Sequence, residues 1–145
     1  MASRTDAEHK AQAPHSVRSY IVTVSDTRTS DTDASGRLIA DLLAAAGHVV
    51  AGRTIVKDNP DLVRDTIIRQ LATPGLQAII TTGGTGISSR DSTFEAISAM
   101  LQKRLDGFGE LFRMLSYEQI GPAAIMMQGE VSGCHASASC RQARN

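Results

Sequence analysis

Ala78-Ile79-Ile80-Thr81-Thr82 runs without a spacer into Gly83-Gly84-Thr85-Gly86, and the fold can be read outward from this stretch. Apart from Ala78 its first five residues are β-branched, the composition of a strand buried between layers. Three glycines in the next four residues give the chain a place to turn where a Cβ would obstruct it. Downstream, Ser92-Thr93-Phe94-Glu95 has the spacing of a capping box, which opens a helix whose buried stripe should hold Phe94, Ile97 and Leu101. The unit is strand, glycine loop, helix.

Two more such units lie upstream. Tyr20-Ile21-Val22-Thr23-Val24 is a short β-rich run closed by the polar loop Ser25-Asp26-Thr27. Leu38, Ile39, Leu42, Leu43 and Ala46 then fall on one helical face, with Arg37, Ala40 and Asp41 turned elsewhere, and Gly47 stops the helix. His48-Val49-Val50 and, past Gly52, Thr54-Ile55-Val56 predict a second strand that gives out at Lys57-Asp58-Asn59-Pro60. Asn59 can cap the helix that follows, and Pro60 suits its first position, where a missing N–H costs nothing. Leu62, Val63, Ile67, Ile68 and Leu71 supply that helix's apolar face, and Thr73-Pro74-Gly75 ends it. Beyond residue 101, Gly107-Phe108-Gly109 is expected to break the chain. Phe108, Leu111, Phe112 and Leu115 then mark a fourth helix, closed by Gly121-Pro122.

Alternating strands and helices predict an α/β fold, a three-layer α/β/α sandwich around a mostly parallel sheet with right-handed crossovers. The 145 residues suit one domain, able to bury roughly 68–70% of the unfolded chain's surface. With aromatics at 3% and no Trp, its core must be built from Ile, Leu, Val and Ala. Residues 1–17 are polar and aperiodic and read as a mobile leader; the domain is expected over 18–127.

Composition narrows the function. Fifteen Lys and Arg balance fifteen Asp and Glu, which argues against a nucleic-acid binder, since those carry a basic excess or stripe. No apolar run approaches the roughly eighteen residues of a spanning helix, and the N-terminus lacks the apolar stretch of a secretory signal. The expected address is the cytoplasm. Cys134 and Cys140 have five residues between them, His135 among these, a spacing that matches no zinc pair and reads as two cytosolic thiols.

In a parallel sheet every loop leaving a strand's C-terminal end emerges on one edge, where ligands bind. Three polar loops should converge there: Ser25-Asp26-Thr27, Lys57-Asp58-Asn59, and Thr82-Gly83-Gly84-Thr85-Gly86 continuing to Arg90-Asp91. Glycines after a strand let backbone N–H groups approach an anion, and the helix near Ser92 adds its positive dipole end. A phosphate-bearing ligand fits, although the loop lacks both the P-loop ending and the Rossmann spacing. The alternative is a tight strand-to-helix turn. Asp58 and Asp91 could hold Mg²⁺, which takes one or two carboxylates plus substrate oxygens. Alternatively, Asp58 serves the turn before Pro60 and Asp91 caps a helix.

Three segments together are hard to obtain by chance. They are Thr23-Val24-Ser25-Asp26-Thr27-Arg28, Thr81-Thr82-Gly83-Gly84-Thr85-Gly86 with Arg90-Asp91, and Gly107-Phe108-Gly109-Glu110-Leu111-Phe112-Arg113. With Val56-Lys57-Asp58 they resemble the MoaB/MogA family of molybdopterin-handling proteins over about residues 18–127. The resemblance implies a molybdopterin-binding-domain-like fold and adenylyl transfer from Mg-ATP to molybdopterin, giving adenylylated molybdopterin and pyrophosphate. It gives Asp58 and Asp91 the catalytic and Mg²⁺-holding roles. It assigns nucleotide and pterin contacts to Ser25, Asp26, Thr82, Gly83, Gly84, Thr85, Gly86, Glu110 and Arg113. It also implies homotrimers or homohexamers, with the Gly-Phe-Gly-Glu helix near the contacts. Two alternatives share the pattern: a molybdopterin carrier without catalysis, and an inactive truncated remnant.

From Gln128 to Asn145 the sequence is small, polar and without period, unlike the helix, strand and Pro-Gly loop of that family. The abrupt change at Met126-Met127 is expected to mark a frameshift or an early stop, with 128–145 a disordered tail that weakens oligomer contacts.

Overall fold

The computed structural model describes residues 11, 14–84, 92–101 and 105–122. Among these described residues three strands form one sheet: β1 (Arg18–Val24), β2 (Val49–Val56) and β3 (Ala78–Gly83). The described helices that accompany them are α1 (Ala34–Ala45), α2 (Pro60–Leu71), α3 (Ser92–Met100) and α4 (Asp106–Ile120). The strand order is β2-β1-β3, with both pairings parallel. The first strand in the sequence is thus the central one in space. It carries Ile21, Val22, Thr23 and Val24 buried in succession, as a strand covered on both faces must.

Successive side chains of β1 serve opposite layers. Val22 and Val24 join Val63 and Ile67 of α2 in the hydrophobic core, with Tyr20, Ile79, Leu71 and the α3 residues Ile97 and Met100 packed around them. Thr23 points the other way, to α1, where its hydroxyl meets Asp33 just before the helix. The chain crosses from β1 to β2 through α1 and returns past β1 to β3 through α2. The two crossovers run in opposite directions across the sheet, which puts their helices on opposite faces. This is the predicted α/β/α sandwich, and among the described residues its sheet is wholly parallel.

The β1–β2 register slips once, between Ser19 and Tyr20, so that Tyr20 stands opposite Gly52 and not Ala51. The slip marks a bulge, and the glycine has a local reason. A Cβ on Gly52 would lie 2.7 Å from Cε2 of the Tyr20 ring, so that ring can lie across β2 only where the side chain is absent.

Helix boundaries follow the predicted signals. Asn59 caps α2 through its side-chain oxygen, which accepts from the N–H groups of Asp61 and Leu62, with Pro60 opening the helix. Gly47 takes a positive φ of 82° just past the cap of α1, and Gly75, with φ of 74°, lies in the turn that follows α2.

Two expectations need correction. Gly107-Phe108-Gly109 does not break the chain: it forms the first turn of α4. Glycine weakens a helix chiefly in its interior, by about 1 kcal/mol, whereas the opening N–H groups lack intrahelical partners whatever the residue. The buried face of α1 is also displaced. Leu38 and Leu42 are 59% and 61% exposed, while Ile39, Leu43 and Ala40 are half-buried and Gly36 is buried. The helix turns Gly36, Ile39, Ala40 and Leu43 to the sheet, because Gly36 lies directly against Thr23 and Asp33. α4 is the most open element: Leu111, Met114, Leu115, Tyr117 and Ile120 are each about half exposed. The expected tail 128–145 and the Cys134–Cys140 segment lie outside the described residues.

Candidate functional site

The C-terminal ends of β1, β2 and β3 lie side by side at Val24, Val56 and Gly83. Each leads into one of the three predicted loops on the same edge, and the first two are joined there.

The first joint extends the sheet. Ser25, one residue past β1, donates its N–H to the Val56 carbonyl at 2.9 Å. The second is made by a side chain: Asp26 Oδ1 accepts the Asp58 N–H at 3.1 Å, across 32 residues of sequence. Beyond Asp58, the Asn59 N–H bonds the Lys57 carbonyl at 2.7 Å, and the Asn59 side chain begins α2. Asp58 therefore sits between a strand end and a capped helix, with little backbone freedom.

The third loop begins with Gly83 and Gly84, both in the left-handed region with φ of 89° and 66°. Glycine is required at Gly83 twice over: its φ is one that other L residues rarely adopt, and a Cβ would run into the Val24 carbonyl. Thr82 precedes the turn, half-buried and paired in register with Thr23, so the two threonines share the α1 face of the sheet.

The loop between β1 and α1 is held by its own polar groups. Ser25 Oγ accepts the N–H groups of Thr27 and Arg28, at 3.3 and 3.2 Å. Thr32 Oγ1 accepts the Thr29 N–H at 2.9 Å. The guanidinium groups of Arg28 and Arg37 bond loop carbonyls: Arg28 that of Thr32, and Arg37 those of Ser30 and Asp31.

Beneath the loop lies a cluster that the sequence did not announce. Asp33 is 3% exposed. Its Oδ1 accepts the Gly36 N–H at 3.0 Å and caps α1; its Oδ2 accepts the Thr23 hydroxyl at 3.0 Å. Arg53 Nη1 on β2 stands 3.9 Å from the same Oδ2. A buried carboxylate is tolerated when hydrogen bonds and a cation surround it, as here. The only signal in the sequence was an Asp three residues before a glycine at a helix start, a pattern that surface caps also show.

Of the predicted site residues, the structure therefore brings together Ser25, Asp26, Asp58, Thr82, Gly83 and Gly84 on one edge. Thr85, Gly86, Arg90 and Asp91 lie outside the described residues. Glu110 and Arg113 are exposed on α4, and among the described residues no hydrogen bond or ion pair links them to the edge.

The donor set suits a hard cation that arrives with its ligand. Mg²⁺ usually keeps waters and takes one or two carboxylates plus phosphate oxygens. The Asp58 carboxyl group stands at the edge, and among the described residues no cluster of three or more His, Cys, Asp or Glu could hold a metal ion. Lys57 and Arg28, close to the acidic residues in the sequence, are exposed. Chemically, the edge can align a polyanion and its cation; among the described residues it offers no Ser, Cys or His nucleophile paired with a base.

A family profile described as "Probable molybdopterin binding domain" matches residues 20–138. The chain is 50% identical over 120 residues to molybdenum cofactor biosynthesis protein B of Bacillus anthracis, covering 82% of this chain and 71% of that one. A crystal structure of a molybdenum cofactor biosynthesis protein B superposes with a TM-score of 0.76 at 42% identity, over 90% of this chain and 87% of the other. The molybdopterin biosynthesis enzyme MoaB of Thermus thermophilus gives 0.69 at 30% identity, over 81% and 74% of the two chains.

Proposed function

The chain belongs to the molybdopterin binding domain family of molybdenum cofactor biosynthesis proteins, the MoaB/MogA family, and we propose that within this pathway it transfers an adenylyl group from Mg-ATP to molybdopterin. The products are adenylylated molybdopterin and pyrophosphate. The carrying observation is the edge itself: Asp58 is locked beside the β1 loop by the Asp26 bond, and on the other side of β1 stands a glycine turn no other residue could make.

The chemistry asks little of the protein beyond placement. The terminal phosphate of molybdopterin is already anionic near neutral pH. One of its oxygens attacks the α-phosphorus of ATP in line, the new P–O bond forms, and the bond to the departing pyrophosphate breaks. Such a transfer is accelerated by alignment and by neutralising charge. The Mg²⁺ that accompanies ATP supplies that neutralisation. Asp58, with Asp91 further along the third loop, orients the metal-bearing phosphates. The turn at Gly83 and Gly84 lets backbone N–H groups face phosphate oxygens, and Thr85 and Gly86, next in the sequence, contact the same ligand. Ser25 and Thr82 line the same edge, and Glu110 and Arg113 contact the ligand from α4.

The assembly that completes the site is a homotrimer or homohexamer. The exposed stripe Phe108, Leu111, Met114 and Leu115 on α4 supports it, because a helix with such a face rarely stays bare. The working address is the cytoplasm; no described helix is long and apolar enough to cross a membrane.

Purified protein incubated with molybdopterin, ATP and Mg²⁺ should yield adenylylated molybdopterin by mass spectrometry. Asp58→Asn should slow its formation about a hundredfold, the scale on which misplacing a reacting group acts. Binding of molybdopterin without product would make the protein a carrier, and neither binding nor product would mark an inactive remnant.

A further inference from the structure

Ser25 and Asp26 are adjacent, polar and on the ligand edge, yet they perform different tasks. A Ser or Asp after a strand usually folds back on its own loop, accepting an N–H two or three residues ahead. Ser25 does so, holding the N–H groups of Thr27 and Arg28. Asp26 does not. Its Oδ1 reaches across to the second loop and takes the N–H of Asp58.

We propose that Asp26 is a positioning residue that acts through Asp58: its side-chain oxygen fixes the Asp58 backbone and so sets where the Asp58 carboxyl group stands on the edge. This rests on the adenylyl transfer proposed above and goes beyond the ligand contact expected of Asp26.

Asp58 lies between two regular systems. β2 ends at Val56, and α2 begins at Pro60 with Asn59 supplying acceptors to Asp61 and Leu62. The Asp58 N–H finds its acceptor in neither, but in the other loop. The neighbouring bond from Ser25 N–H to the Val56 carbonyl fixes the base of the β1 loop, so Asp26 presents its oxygen from an anchored point. The loop is stiffened further by Arg28 and Arg37 on its carbonyls. Bringing two acidic side chains onto neighbouring loops is electrostatically unfavourable. A role that needs only an acceptor oxygen should therefore survive removal of the Asp26 charge.

An Asn at position 26 keeps an acceptor oxygen and loses the charge; an Ala loses both. The test measures each variant's full chain in two ways. The amide proton shift of Asp58 in a ¹⁵N-labelled sample, without ligand, reads the bond directly. The initial rate of adenylylated molybdopterin formation reads its effect. The expected result for Asp26→Ala is an upfield move of the Asp58 amide proton and a rate lowered about tenfold, the scale of one hydrogen bond to a charged group. Asp26→Asn should keep the downfield amide and recover the rate to within about threefold, since a neutral acceptor is somewhat weaker.

Two results would overturn the proposal. One is an Asp58 amide unmoved in Asp26→Ala. The other is an Asp26→Asn variant as slow as Asp26→Ala while its Asp58 amide stays in place, which would make the charge itself the working group. Should the wild-type chain form no product, adenylyl transfer fails, and the clamp stands or falls on the amide shift alone.

Discussion

Substituting Gly36 by Ala sets two physical effects against each other. Helix propensity favours the change, since Ala in place of Gly stabilises a helix by up to about 1 kcal/mol. Packing opposes it. A Cβ at this position would lie 2.8 Å from Thr23 Oγ1 and nearer still to the Asp33 carboxylate. A flexible surface side chain would swing away at little expense. Asp33 is buried and fixed by the Gly36 N–H, the Thr23 hydroxyl and Arg53, so moving it weakens several interactions at once. Loss of the cap is worth about 1 kcal/mol. Loss of a buried hydrogen bond to a charged acceptor is worth roughly 1.5–3 kcal/mol. Set against the propensity gain, the net destabilisation comes to about 1.5–3 kcal/mol. For a chain of this length that corresponds to a fall in melting temperature of roughly 8 °C. The assay is thermal unfolding by circular dichroism, checked by urea titration. A double-mutant cycle with Thr23→Ala should show the combined loss to be smaller than the sum, because both changes strike one contact. A Gly36→Ala variant that melts at or above the wild-type temperature would refute the packing account and leave propensity in control.

Gly83→Ala should be more disruptive than Gly36→Ala: it meets both a positive φ and the Val24 carbonyl, so the third loop must detach from the edge, and molybdopterin affinity measured by calorimetry should fall with stability. Val63→Ala removes two methyl groups from a fully buried position between Val22 and Val24 and should cost about 2 kcal/mol by urea denaturation, with the m-value unchanged. Leu111→Ser together with Leu115→Ser on α4 should leave the melting of an isolated chain nearly unaltered and shift sedimentation toward smaller species, if that face is the contact between copies.

Much of the fold was legible because it depends on local signals. The β-branched run ending at Val24, the Asn59-Pro60 helix start and the strand entering Gly83-Gly84 each specify a conformation from neighbouring residues alone. The convergence of three loops was legible too, because parallel strands place them on one edge whatever the strand order. The order β2-β1-β3 was not, since nothing in the composition of Tyr20–Val24 distinguishes a central strand from a neighbour also covered on both faces. Leu38 and Leu42 misled for a related reason. Periodicity finds an apolar stripe, but the part of it that meets the sheet was decided by Gly36 approaching Thr23, a contact between residues of different elements. Asp33 was hidden in a run of polar loop residues, because burial of a charge depends on what closes over it. In Gly107-Phe108-Gly109 two weak helix formers read as punctuation, where their place in an opening turn makes them tolerable.

The central position of β1 has a consequence in time. Its N-terminal end is tied on one side by Val17 N–H to His48 Nδ1, across 31 residues, and on the other by Arg18 N–H to Gln77 Oε1, across 59. β1 therefore leaves the ribosome before either of its neighbours, and it waits with an apolar run uncovered until β3 has been synthesised. Parallel pairings at such separations close large loops before they return any contact energy, which slows folding and lengthens exposure to aggregation. The ligand edge is subject to the same delay. Asp26, Asp58 and Gly83 come from three strands, and they can meet only once the longest of these closures is complete, so the earliest partly paired chain has much of its secondary structure and none of its function.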